Sequence, residues 1–158
     1  MIVSPTTHAI DLILDKFDSI SDQVKILRIG HSLTRTDLNQ KYALEVLKEK
    51  DDPQAAEKVQ AKLEEAQVII TAVSSLRQNS LERSLHTFDT VIIDDASLVN
   101  EADCLAALRH GASRLIMLGN SILDQSMFLL RTQAANKSLY NRISKSSFMV
   151  MTPPEIKV

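Results

Sequence analysis

Two adjacent carboxylates, Asp94 and Asp95, end the apolar run Val91-Ile92-Ile93 in the stretch FDTVIIDDASLVNEADCLAAL. A buried strand that delivers acids to its carboxyl end can hold Mg²⁺, a hard cation that takes oxygen ligands. In phosphoryl-transfer chemistry the first Asp helps hold the metal, and the second acid orients or deprotonates the attacking water. Asp94 is thus the candidate metal ligand, and Asp94 with Asp95 the candidate catalytic pair. The same two residues would also suit a plain cap on the helix that follows. The local pattern leaves both readings open.

Phosphate chemistry of this kind needs a cradle: closely spaced glycines, then Lys and a Ser or Thr. The glycines are Gly30, Gly111 and Gly119, followed by His31, Ala112 and Asn120, so no Gly-Lys pair exists in the chain. His8, His31, His86 and His110 show no paired metal spacing, Cys104 has no Cys partner, and no GxSxG elbow occurs. The segment SPTTHAID sets Ser4, Thr6 and Thr7 between a strand and a helix, where hydroxyls and helix-start amides grip a phosphate backbone or simply cap the helix. Lys25, Arg28, Arg35 and Lys41 are scattered among acids and read as a solvated face rather than a nucleic-acid stripe.

The elements that must position these residues alternate. MIVSP, VKILRIG, QVIITAVS, TVIID, RLIMLG and SFMVMTPP read as strands. HAIDLILDKFDSI has apolar residues at helical spacing, as do LVNEADCLAALRHG, with Gly111 as its stop, SMFLLRTQ and KSLYNRIS. NSLERSLHT is a short helical piece. Residues 36–66 read as a charged helical hairpin broken at Asp51-Asp52-Pro53, with Asp52 as N-cap and Pro53 at the first helical position. Alternation of this kind predicts an α/β domain with a mostly parallel sheet flanked by helices. The continuous runs Val68 to Val73, Val91 to Ile93 and Leu115 to Leu118 suit strands covered on both faces. Ligands then gather at the carboxyl ends of the strands, which brings Thr71 to Ser75, Asp94-Asp95 and Gly119-Asn120 to one edge.

At 158 residues, 44% apolar and 24% charged, the chain fits one soluble domain with a real core. A net charge of −2 gives no bulk attraction to nucleic acid or to an anionic membrane. One cysteine excludes an intrachain disulfide, no secretory start is present, and no apolar run spans a bilayer. These features point to an intracellular protein, of nucleus or cytoplasm, with no membrane contact.

Taken in order, the segments resemble the first RecA-like domain of superfamily 1 helicases of the senataxin and nonsense-mediated-decay type. IVSPTTHAIDLIL resembles motif Ia, EEAQVIITAVSSL the strand in which the chain emerges as A-x-V-I-x-x-T, and FDTVIIDDAS motif II, usually Asp-Glu-Ala-Ala. GASRLIMLGNS resembles the strand into motif III, KSLYNRI the Ser-Leu-Phe-Glu-Arg helix, and FMVMTPPEI a stripped Gln-Tyr-Arg-Met-His-Pro segment. The resemblance covers nearly all of residues 1–158, with 36–66 where these helicases carry a helical insertion. It implies nucleic-acid contacts at Pro5, Thr6, Thr7, Thr71 and Ser74, and a catalytic role for Asp94, Asp95 and, away from its usual spacing, Gln125. It also implies an ATP-dependent helicase activity with Mg-ATP as cofactor if missing segments complete the site.

The departures weigh against that activity in this chain alone. Asp95 replaces Glu, Asn120 replaces an acid, Ser121 replaces Pro, and Thr152-Pro153 stand where an arginine would meet the γ-phosphate. The Walker A segment and the second RecA-like domain are not in the sequence. The expectation is a degenerate, non-catalytic binding or scaffold module without cofactor of its own, working with a protein partner or the remainder of a longer chain, with RNA or single-stranded DNA as a further ligand. The alternatives are a fragment of an active RNA or DNA helicase, or an unrelated receiver-like domain using its Asp pair for Mg²⁺. In the family's sheet the P-loop strand lies between the motif II and motif III strands. Without it TVIID and RLIMLG must pair directly, or SFMVM or a partner chain must fill the gap.

Overall fold

The computed structural model describes residues 1–30, 41–44, 54–77, 81, 87–120 and 137–146. Its centre is one sheet of five strands, β1 (Ile2–Ser4), β2 (Ile26–Ile29), β3 (Val68–Ala72), β4 (Thr90–Ile93) and β5 (Arg114–Met117), in the order β2-β3-β1-β4-β5. Every pair is parallel. The α/β class and the parallel sheet expected from the alternating pattern are therefore the observed ones, and the architecture is consistent with a RecA-like fold.

Strand alternation splits the core into two faces. Ile2, Ile70 and Ala72 pack with Ile10 and Leu14 of helix α1 (Thr7–Asp18) and with Tyr42. Val3, Leu27, Ile29, Ile69, Val91 and Ile93 point the other way, onto Leu63 of α2 (Ala55–Glu65), Cys104 and Ala107 of α3 (Glu101–Leu108) and Leu139 of α4 (Leu139–Ser144). Both faces of the central strands are thus buried, as parallel strands require.

Four expectations change. Arg28 is not on a solvated face: it is 1% exposed. Its Nε and Nη2 donate to Asp11 Oδ1 of α1 at 3.2 and 3.0 Å, and its Nη1 donates to the Gly30 carbonyl. A charge is tolerated there because a carboxylate and a carbonyl replace its water. Lys25 and Lys41 are exposed as expected, whereas Arg35 lies outside the described residues. β5 is not covered on both faces: Arg114 and Ile116 are exposed, because among the described residues β5 is the sheet edge and α1 packs over the central strands. α2 begins at Ala55 with Gln54 as N-cap and no side-chain cap bond; Asp52 and Pro53 are outside the described residues. Finally, LVNEADCLAALRHG is not helical throughout. Ala96–Leu98 form a 3-10 turn, and α3 starts at Glu101 under the cap of Asn100, whose side chain accepts from the Asp103 amide at 2.9 Å.

β4 and β5 pair directly over four residues, from Thr90↔Arg114 to Ile93↔Met117. Of the alternatives open for the motif II and motif III strands, this is direct pairing, and the sheet is continuous. The segments SFMVMTPP and SMFLLRTQ, NSLERSLHT apart from Leu81 and Thr87, and most of the first helix of 36–66 lie outside the described residues. Among the described residues no helix is long and apolar enough to cross a membrane.

Candidate functional site

An all-parallel sheet delivers every strand's carboxyl end to one edge, so the residues singled out by type do converge there by topology. At the end of β1, Pro5 is buried and Thr6 is the N-cap of α1 in extended conformation, its Oγ1 accepting from the Ala9 amide at 3.2 Å. Thr7 opens the helix, half-buried. Next to it, β3 ends in Thr71, fully buried, whose Oγ1 donates to the Ile29 carbonyl at 3.1 Å. The chain then turns through a 3-10 segment, Val73–Ser75, that leaves Ser74 exposed. Of the five residues that the resemblance assigns to nucleic acid, Thr6 and Thr71 already spend their hydroxyls on the fold and Pro5 is covered. Ser74 is exposed and Thr7 half-buried.

β4 carries the acids to the same edge. The Asp94 amide donates to the Val3 carbonyl at 2.8 Å and its side chain is half-buried. Asp95 is exposed and sits in the left-handed region at φ 48°, ψ 40°, the one non-glycine among the described residues with positive φ. Asp tolerates that conformation better than most side chains. It lets the chain double back so that the Ala96 amide reaches the Leu118 carbonyl at 2.7 Å. Asp95 makes no side-chain cap bond, and the next helix is capped by Asn100, so the acid pair does not serve as that helix's cap.

β5 ends in Gly119 and Asn120, held against the β4 turn. A Cβ on Gly119 would stand 2.9 Å from the Ser97 amide nitrogen and 3.3 Å from Tyr140, so this approach admits only glycine. The Asn120 amide donates to Ser97 Oγ at 3.3 Å, and Tyr140 Oη donates to the Gly119 carbonyl at 2.9 Å. Ser97 and Tyr140 were not legible as site residues. The one signal in the sequence was the Ser-Leu-Tyr stretch after a glycine-ended strand. Gln125 and Thr152 are outside the described residues.

No Gly-Lys turn is present in the sequence. Among the described residues no three metal-ligating side chains gather. Asp94 is left as a half-buried carboxylate beside an exposed one.

A parallel five-stranded sheet, helices on both faces and an Asp-Asp pair at a strand end are consistent with a RecA-like α/β domain. The chain belongs to the AAA domain family, whose model matches residues 43–121, half of its length; this domain is found in superfamily 1 helicases of the senataxin and nonsense-mediated-decay type. No curated protein matches the chain.

Proposed function

We propose that this is a helicase-like domain that has given up nucleotide chemistry and acts as a protein-binding module through its strand-end edge. Residues 1–158 are read as one partial RecA-like domain, with 36–66 as its helical insertion. The observation that carries the reading is that no Gly-Lys turn occurs in the sequence. The alternative, an active ATP-dependent helicase completed by other segments, needs a phosphate-binding loop that residues 1–158 do not supply. Asp95 for Glu and Asn120 for an acid support the same conclusion. A protein partner is favoured over RNA or single-stranded DNA because the net charge is −2 and two of the candidate hydroxyls are already engaged within the fold.

The test is titration of a fluorescent ATP analogue with Mg²⁺, paired with anisotropy of a labelled single-stranded RNA. No saturable nucleotide binding is expected up to about 1 mM, a binding energy of only about −4 kcal/mol. A micromolar dissociation constant for nucleotide would overturn the reading. RNA binding at physiological salt would move the edge's ligand from protein to nucleic acid.

A further inference from the structure

We draw no further inference here: the strongest candidate, the open pocket at the amino end of β2 lined by Lys25, Lys41, Tyr42, Lys62 and Glu65, carries nothing, because Lys25 and Lys41 already pair with Glu65 and Asp18 and nothing in the structure shows what would fill it.

Discussion

The amide of Ala96 donates to the carbonyl of Leu118 at 2.7 Å, which carries the β4–β5 ladder one step past the strands themselves. The left-handed turn at Asp95 makes that reach possible. The two segments that resemble helicase motifs II and III are thereby joined backbone to backbone.

Hydrogen exchange checks this arrangement residue by residue. The amides of Ala96, Arg114 and Leu118, each bonded within the ladder, are expected to exchange slowly. Addition of Mg-ATP should leave the pattern unchanged. Fast exchange at Ala96 and Leu118 would mean that β4 and β5 are not joined in solution.

Arg28 and Asp11 make a separate prediction about stability. Arg28 is buried between β2 and α1, and Asp11 supplies its counter-charge at 3.0 Å. Removing one partner of a buried pair strands the other, at a cost of about 3–5 kcal/mol. Asp11→Ala should therefore lower the urea midpoint sharply. Replacing both, Arg28→Met with Asp11→Leu, should cost much less, because neither charge is then left without its partner. Equal losses in the single and double variants would show that the pair contributes packing rather than charge compensation.

Gly119 and Gly111 separate two reasons for a glycine. At Gly119 an added Cβ meets the Ser97 backbone nitrogen at 2.9 Å, an atom that cannot rotate away. Gly119→Ala should destabilise by about 1–3 kcal/mol through overpacking. Gly111 has open space, with Thr87 at 3.6 Å, but a φ of +79°. Gly111→Ala should cost about 1–2 kcal/mol from the left-handed backbone. Gly111→Asn should recover part of that loss, and Gly119→Asn none. Thermal unfolding of the four variants gives the comparison.

Local pattern carried much of this fold. The runs Ile69–Ala72 and Val91–Ile93 are buried strands, as their β-branched content implies, and Thr6 and Gly111 sit at the start of α1 and just past the end of α3. What could not be read was strand order, and the misreadings follow from that. Leu115 to Leu118 look like a covered strand until β5 is known to be the edge. Arg28 looks solvated in VKILRIG because its partner is Asp11, on a helix whose docking is a tertiary fact. The acid pair was legible as a pair at a strand end. The turn that aims Asp95 outward, and the Ser97–Gly119–Tyr140 contacts that brace it, join segments about twenty residues apart, so no local spacing betrays them.

Cys104 gives the last prediction. Its thiol lies fully buried on α3, and burial pushes its pKa up to about 11, with the Asp103 carboxylate adding to the rise. Thiolate is the reactive form. At pH 8 the native protein should therefore resist thiol reagents that label it at once after denaturation. The same shift has a definite sign for stability. The unfolded chain ionises this thiol at its ordinary value near 9.0, while the folded chain holds the proton until about 11. The stabilisation is complete below the lower value and is lost as pH rises through that window, because the unfolded state then binds fewer protons. Cys104→Ala should flatten that part of the pH–stability curve. It should also lower stability at neutral pH by about 1 kcal/mol, for the small cavity left beside Leu139. A wild-type curve with no alkaline slope beyond that of the alanine variant would show the thiol to be solvated in solution.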